Sequence, residues 1–196
     1  MSIVLITGSN GLVGSESAFF FLKKGFKVIG IDNNFRKKFF GSDGNTLWIQ
    51  KKLSKNRSYT QYNFDIRNKE KIQNIFKKFN KNISIVIHAA AQPSHDFAKD
   101  NIFLDFEVNA LGSLNIFTNT QKYCPLAKVI YLSTNKVYGD SPNRLKLVEK
   151  RTRYEPLSKL FLKKRINENF NIDNSVHSFF GVSKTYADIL AQEFGK

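Results

Sequence analysis

Residues 2–14 read S-I-V-L-I-T-G-S-N-G-L-V-G, and this stretch decides the fold. An apolar, β-branched run ends in Gly8, Gly11 and Gly14, and a helical run follows at once. Glycines placed in this way allow a tight turn, a close backbone approach to a pyrophosphate, and close packing of helix on strand. The helix N-terminus then faces the phosphates. The spacing G-x-x-G-x-x-G differs from the general G-x-G-x-x-G fingerprint, so the turn needs support from the rest of the chain.

Short apolar runs alternate with helical runs along the chain. We predict strands at 2–7, 27–31, 60–64, 83–88 and 128–133, and helices at 12–24, 69–79, 100–122 and 180–194. This alternation is typical of βαβ units, and unbroken apolar strands are typical of a sheet covered on both faces. The sequence therefore predicts an α/β fold with a Rossmann-type doubly wound parallel sheet, in one domain over residues 1–196.

Two stretches fall outside this alternation. Residues 36–58 are basic, contain Gly41 and Gly44, and predict a surface connection with a short helix near 46–53. Residues 140–178 contain Pro142 and Pro156 and predict an insertion between the fifth strand and the last helix. Long connections in a compact domain are usually functional or mobile.

The net charge of +15 at first favours a nucleic-acid partner, because clustered Lys and Arg bind phosphates. The basic residues are instead spread along the chain among many asparagines, and no stacking platform of aromatic and basic residues is evident. The hypothesis of a basic nucleic-acid-binding protein thus rests on the net charge alone. We predict no nucleic-acid partner and only modest steering of an anionic ligand.

The chain shows neither a signal sequence nor an apolar run long enough to span a membrane. Its single cysteine, Cys124, cannot form an internal disulfide. We therefore predict a cytoplasmic protein with no membrane partner, and we predict no metal site.

Small or acidic residues follow three further strands. Asp32 ends the second strand, where a carboxylate accepts hydrogen bonds from ribose hydroxyls and repels a 2′-phosphate; this favours NAD over NADP, although Arg36 lies nearby. Asp65 follows the third strand, and H-A-A-A at 88–91 follows the fourth. The carboxyl ends of strands are where open α/β sheets bind ligands. The predicted cofactor-binding residues are Gly8, Asn10, Gly11, Leu12, Val13, Gly14, Asp32, Asn33, Asp65, Ile66, Ala89, Ala90 and Ala91.

Three further strings carry a family resemblance: S-T-N-K-V-Y-G-D at 133–140, F-G-V-S-K at 180–184 and N-A-L-G-S-L-N at 109–115. Together they resemble the extended short-chain dehydrogenase/reductases, a family of NAD-dependent nucleotide-sugar epimerases and dehydratases. With H-A-A-A-Q-P-S-H at 88–95, they look most like the CDP-paratose/CDP-tyvelose 2-epimerase branch. The resemblance covers essentially the whole chain.

This resemblance implies roles for individual residues. Thr134 would contact the reacting sugar oxygen, and Lys184 would hold the nicotinamide ribose, which makes both candidate catalytic residues. Asp65 would lie beside the adenine amino group. Asn109 would brace the active-site strand and joins Lys184 in the cofactor set. The implied sugar contacts are Gln92, Ser94, Thr134 and Asn135.

The implied reaction uses NAD to oxidise C2 of a CDP-linked 3,6-dideoxyhexose and returns the hydride to the opposite face. The family has a tyrosine four residues before the lysine, and here that residue is Phe180. Three explanations stay open: a base from elsewhere, with His95 and His177 as candidates; a degenerate enzyme that still binds nucleotide; or a misjudged pairing.

Members of this family are much longer than 196 residues. We therefore expect an N-terminal portion without the C-terminal substrate-binding part, which forms a homodimer or associates with a separate C-terminal fragment. The alternatives are a non-catalytic NAD-binding module and a UDP-sugar 4-epimerase or related dehydratase. A dehydratase usually has Asp-Glu after the active-site threonine, whereas Asn135 and Lys136 stand here, which disfavours dehydration.

Overall fold

A parallel sheet of five strands forms the centre of the structure, a computed structural model that describes residues 2–158 and 166–196. The strands lie in the order β3-β2-β1-β4-β5 and are β1 Ile3–Thr7, β2 Lys27–Ile31, β3 Tyr59–Tyr62, β4 Ile83–His88 and β5 Lys128–Tyr131. Their pairings are all parallel. This is the order of the first five strands of a Rossmann fold, so the predicted fold class is confirmed.

Helices cover both faces of the sheet. They are α1 Leu12–Lys23, α2 Arg36–Phe40, α3 Leu47–Leu53, α4 Lys69–Phe79, α5 His95–Asp100, α6 Ile102–Phe106, α7 Gly112–Tyr123 and α8 Phe179–Phe194. A π-helical turn, Glu107–Leu111, joins α6 to α7. Helices α4, α7 and α8 pack on one face, and α1 and α3 pack on the other.

Neighbouring residues of the inner strands contribute to opposite cores. Leu5 packs with α4 and α7, whereas Ile6 packs with α1 and α3, because successive strand side chains point to opposite faces. Helix α4 buries Phe76 with the rest of its apolar stripe, and the Asn68 side chain caps its N-terminus by accepting from Lys71 N. The apolar runs of the inner strands thus have the two covered faces that they predict.

The outer strand β5 has a strand neighbour on one side only within the described residues. Val129 and Ile130 are exposed there. A groove between β5 and α1 is lined by Phe20, Ile87 and Leu132 among others. The sheet therefore ends in an edge with unpaired backbone groups and an apolar face beside it.

The predicted insertion at 140–178 contains an antiparallel hairpin of β6 Leu147–Glu149 and β7 Tyr154–Pro156. Residues 159–165 of this insertion lie outside the described residues. The stretch after 166 returns to the turn that follows β5. Ser175 Oγ accepts from Ser141 N at 3.0 Å and donates to Tyr138 O at 3.2 Å.

The element boundaries differ from the prediction at several places. The third strand is Tyr59–Tyr62, and the predicted helix at 100–122 consists of α6, the π-helical turn and α7. Helix α2 and the β6–β7 hairpin were not predicted, because short basic or polar segments show neither helical nor alternating periodicity. Within residues 2–158 and 166–196, no helix has the length and apolar character to cross a membrane.

His88, at the end of β4, is a buried polar residue that ties the sheet to α7. Its Nδ1 lies 2.6 Å from Thr7 Oγ1, and its Nε2 lies 2.9 Å from Ser113 Oγ. Burial, with a smaller contribution from the positive charge of Lys184, lowers the pKa of His88 to about 3. The imidazole is therefore neutral in the folded chain near neutral pH.

We predict that His88 makes the fold sensitive to mild acid. The unfolded chain takes up this proton below about pH 6.5 and the folded chain does not, so stability falls as the pH drops from 6.5 towards 3. Urea unfolding should show about 2 kcal/mol less stability at pH 5 than at pH 7 from this residue. The loss should disappear in His88→Gln and persist in His95→Gln, which changes an exposed histidine. An unchanged pH dependence in His88→Gln would contradict the assignment.

Candidate active site

A cleft of about 360 Å³ lies along the carboxyl ends of the strands. It brings together twelve of the fifteen predicted cofactor residues: Gly8, Gly11, Leu12, Val13, Gly14, Asp32, Asn33, Asp65, Ile66, Ala89, Ala90 and Ala91. Asn10, Asn109 and Lys184 do not line it. Four separate stretches of the sequence thus converge on one edge of the sheet.

The glycines of the turn after β1 let its backbone lie close to the neighbouring elements. Gly8 has φ +68°, a left-handed conformation that favours glycine, and its N–H donates to Ile31 O at 2.8 Å. A Cβ at Gly14 would come within 2.1 Å of Gly8 O. The first turn of α1 is thereby drawn against the end of β1 with its N-terminus at the cleft.

Asn10 lies inside this turn and is 2% exposed. Its backbone N–H donates to Asp32 Oδ2 at 3.0 Å. Its side-chain Nδ2 and Oδ1 are buried without a hydrogen-bond partner among the described residues. Buried polar atoms normally have partners, so an amide left unpaired beside the glycine turn indicates a place for a polar ligand group.

Asp32 accepts a second backbone hydrogen bond, from Asn34 N at 2.7 Å. Burial raises the pKa of this carboxyl, and the N–H groups of Asn34, Asn10 and Asn33 oppose the rise. Asp32 therefore holds the glycine turn and the β2 end together at the place where it lines the cleft.

Asp65 and Asn33 line the cleft next to Asp32. Asn33 Nδ2 donates to Asp65 Oδ2 at 3.0 Å and so links the ends of β2 and β3. Arg67 forms ion pairs with Asp65 at 3.0 Å and with Glu107 at 2.7 Å. Both ion pairs are partly exposed, so they orient the Asp65 side chain more than they stabilise the fold.

Sequence reasoning missed the aromatic side of the cleft, where Phe35, Phe39 and Phe64 supply apolar lining. The Phe39 ring centroid lies 4.6 Å from that of Phe97, so α2 reaches across to α5. The only available signal was the string F-R-K-K-F-F at 35–40, whose aromatic residues stand out within a basic connection.

Thr134 follows β5 near the far end of the cleft, beyond Ser133, which lines it. Thr134 precedes a short 3-10 turn, Asn135–Tyr138, and the hydroxyl of this half-buried residue accepts from Lys136 N at 3.3 Å. The side chains of Thr134 and Asn135 are 3.4 Å apart. Both remain accessible for the predicted sugar contacts.

Lys184 lies behind the end of β5 and is 4% exposed. Its Nζ donates to Leu132 O at 2.7 Å and sits 4.4 Å from the centroid of the Tyr131 ring. Burial lowers the pKa of Lys184 to about 8, against the opposing charges of Asp188 and Asp105. Phe180, one helical turn earlier, is buried and offers no proton to this region.

Gln92 and Asn109 point into the protein instead of the cleft. Gln92 Nε2 donates to Asp105 Oδ1 at 2.7 Å and to Ser94 O at 2.8 Å, and its Oε1 accepts from Ser94 N. Asn109 Oδ1 accepts from Gln92 N at 2.9 Å. Gln92 therefore has no free donor for a sugar in this structure, and Ser94 also serves as the N-cap of α5.

The two histidines considered as bases occupy different settings. His177 Nε2 lies 3.0 Å from Ile172 O, which leaves Nδ1 as a buried nitrogen without a partner among the described residues. His95 is exposed in the first turn of α5, with Nδ1 3.4 Å from Asp96. Neither lines the cleft.

Comparison with known proteins places this arrangement in a family. A model of the NAD dependent epimerase/dehydratase family matches residues 4–195. The chain belongs to this family. It is 35% identical to CDP-paratose 2-epimerase of Salmonella typhi over 98% of its own length, and it spans about half of that protein, 53%.

Two solved structures are similar. The UDP-Glc/GlcNAc 4-epimerase of Campylobacter jejuni has a TM-score of 0.74 at 18% identity, with 100% of this chain and 49% of that chain covered, a likeness that concerns the fold alone. The Thermus thermophilus UDP-glucose 4-epimerase in complex with NAD has a TM-score of 0.65 at 25% identity, with 98% and 50% covered.

The cleft fits the family's cofactor on features of its own. The glycine turn has no side chains to block a pyrophosphate from its backbone. The unpaired side-chain amide of Asn10 lies beside this turn. Asp32 and Asp65 supply acceptors, and Ala89 to Ala91 leave the β4 end uncrowded. The sequence prediction of NAD thus agrees with the family and with the shape of the cleft.

We predict that Gly11→Ala mainly weakens cofactor binding, whereas Gly14→Ala mainly lowers the stability of the fold. A Cβ at Gly11 lies 3.3 Å from Gly8 O at an ordinary φ of −73°, so the fold should lose less than about 1 kcal/mol. Its methyl group nevertheless fills the phosphate cradle, and the dissociation constant for NAD should rise about tenfold or more in calorimetry. Gly14→Ala should cost about 2 kcal/mol or more in urea unfolding. Unchanged NAD binding in Gly11→Ala would mean that the pyrophosphate does not pass over this residue.

Proposed function

We propose that the chain is the cofactor-binding part of an NAD-dependent nucleotide-sugar epimerase, most like CDP-paratose 2-epimerase. The support from comparison is the 35% identity with that enzyme over 98% of the chain. Because the chain spans 53% of that relative, the activity of the whole protein is part of the proposal.

One observation carries the proposal: the cleft begins at the glycine turn and ends at Ser133, directly before the half-buried Thr134. Lys184 lies beside the same strand end, bonded to Leu132 O. A dinucleotide laid from Gly8 towards Ser133 would have its reactive end next to these two residues.

The chain's own residues would divide the work. Thr134 would hydrogen-bond the oxygen of the reacting sugar carbon and orient it. Lys184 would hold the nicotinamide ribose. Its ammonium group would either leave Leu132 O or donate to Leu132 O and the ribose at the same time. Asp32 would accept from the adenosine ribose and disfavour a 2′-phosphate. When bound, NAD would accept a hydride from the sugar carbon and return it to the opposite face.

Phe180 leaves the proton transfer unassigned. A sugar hydroxyl needs a base of suitable pKa while hydride leaves its carbon, and a phenyl ring cannot supply one. His177 retains a candidate nitrogen in Nδ1, although it lies apart from the cleft lining. The buried phenyl ring in the tyrosine position favours a second candidate function, a module that binds NAD without turnover.

The identities of the sugar and of the nucleotide in the substrate are also part of the proposal. The similar proteins include CDP-paratose 2-epimerase and a UDP-glucose 4-epimerase, so a 4-epimerase is the close alternative. Asn135 and Lys136 after Thr134 disfavour a dehydratase. A cytoplasmic location, and a homodimer or a separate C-terminal fragment, stay predictions.

We expect purified chain to release NAD on denaturation and, together with the separate C-terminal fragment predicted from the sequence, to invert one carbinol carbon of its nucleotide-sugar. Released nucleotide would be identified by chromatography, and CDP-, UDP- and dTDP-hexoses would be followed by proton NMR. Inversion at C2 of a CDP-hexose supports the 2-epimerase. Bound NAD without inversion of any sugar supports the module, and absence of NAD rejects both.

We predict that Phe180→Tyr raises turnover by about 10²-fold or more, since it adds a phenol on the helix face that carries Lys184. The matched control is Phe179→Tyr, which adds the same group at an exposed neighbouring position and should leave the rate unchanged. Equal rates for Phe180→Tyr and the unaltered chain would place the base elsewhere, and His177→Gln would then be the next variant to assay.

A further inference from the structure

Tyr59, the first residue of β3, is a buried tyrosine, 7% exposed, whose hydroxyl lies next to the glycine turn. Its Oη is 3.1 Å from Oγ of Ser9, the fully buried residue that follows Gly8 in that turn. Both hydroxyl oxygens also contact Gln61 Oε1, Ser9 Oγ at 3.3 Å. Three polar side chains thus form a closed group beside the turn, and neither hydroxyl lines the cleft.

Gly30, in β2, makes this contact between β3 and the turn possible. Strand β2 lies between β3 and β1, so a side chain of β3 reaches the turn after β1 only by passing over β2. A Cβ at Gly30 would lie 2.1 Å from Tyr59 Oη and 2.6 Å from Ser9 Oγ. The absent side chain of Gly30 therefore leaves the space that the Tyr59 hydroxyl occupies.

The acceptor of this group has a defined orientation. Gln61 Nε2 donates to Tyr62 O at 3.3 Å, which leaves Oε1 facing the two hydroxyls. Burial raises the pKa of the Tyr59 phenol to about 12, so the phenol keeps its proton near neutral pH and remains a donor. Displacing any member would leave a buried polar group without its partner, so the group holds Ser9 in one place.

The side chain of Ser9 restrains a part of the turn that the backbone holds loosely. Ser9 N makes only a long hydrogen bond, to Ile31 O at 3.4 Å. On one side of Ser9 is Gly8 with φ +68°, and on the other is Asn10, whose N–H donates to Asp32. A shift of Ser9 would therefore move the backbone on both sides, which faces the cleft.

We propose that Tyr59 is a positioning residue for the cofactor: through Ser9 it holds the glycine turn in the shape that accepts a pyrophosphate. This rests on the proposed function, in which NAD lies over that turn. Tyr59 touches no part of the cofactor, and its effect passes through one side chain into the backbone that binds the phosphates.

The experiment compares Tyr59→Phe, which removes only the hydroxyl, with Tyr62→Phe as the matched control. Tyr62 ends the same strand, but its hydroxyl accepts from Lys78 Nζ at 3.1 Å and it does not line the cleft. Dissociation constants for NAD, ADP and adenosine are measured by calorimetry or, for weak binding, by NMR titration. Circular dichroism and urea unfolding check that each variant is folded.

We expect the dissociation constants for NAD and ADP to rise about fivefold in Tyr59→Phe, and to stay unchanged in Tyr62→Phe. Binding of adenosine, which lacks the phosphates, should change less than about 1.5-fold in both variants. A tyrosine that only stabilised the fold would not distinguish ADP from adenosine. Unchanged ADP binding in Tyr59→Phe, or an equal loss for adenosine, would overturn the proposal.

Ser9→Ala tests the route through the turn and also serves if Tyr59→Phe does not fold. It should weaken ADP binding about fivefold, and the double variant should be no weaker than about fivefold, because both changes interrupt one contact. A loss of about 25-fold in the double variant would mean that the two residues act independently, which would reject the proposal.

A measurement without ligand separates this proposal from the proposed function. In ¹⁵N–¹H spectra of the free chain, the amide resonances of Asn10 and Gly11 should shift in Tyr59→Phe and stay in place in Tyr62→Phe. Unshifted resonances in Tyr59→Phe would reject the restraint on the turn. A chain that failed to bind NAD would refute the proposed function and leave this result standing.

Discussion

Contact between the glycine turn and the end of β4 is the constraint on which the rest of the site depends. A Cβ at Gly8 would lie 2.7 Å from Ala90 N, and one at Gly14 would lie 2.1 Å from Gly8 O. The backbone can therefore pass close to β4 on one side and to α1 on the other only because these side chains are absent. Asp32 joins this junction through Asn10 N, and the cleft opens directly beside it.

A second junction holds the other end of the cleft. There the polar groups are buried and mutually bonded: Asp105, Gln92 and Asn109 on one side, and Ser183 on α8. Such a network fixes one arrangement, because any displaced member would leave a buried donor or acceptor without a partner. Lys184 is carried on the helix that this network anchors, so residues that do not line the cleft help to place its bond to Leu132 O.

The sequence was informative where local chemistry decides the outcome. The glycine turn, the strand-end carboxylates and the apolar strands each have a physical reason that acts within a few residues, so the sheet and one wall of the cleft could be predicted. The orientation of Gln92 could not be predicted, because it depends on Asp105, thirteen residues away on a different element. The aromatic wall also escaped prediction, since the contact between Phe39 and Phe97 joins two short helices without periodicity of their own.

The strand order has a consequence for how the sheet can be assembled. In the order β3-β2-β1-β4-β5, β2 adds beside β1, β3 beside β2, β4 on the free side of β1, and β5 beside β4. Each strand therefore joins an edge that is already present when it leaves the ribosome, and none has to be inserted between two paired neighbours. Among the described residues, β5 is the last strand to join the sheet, so the sheet can form during synthesis in the direction in which the chain is made.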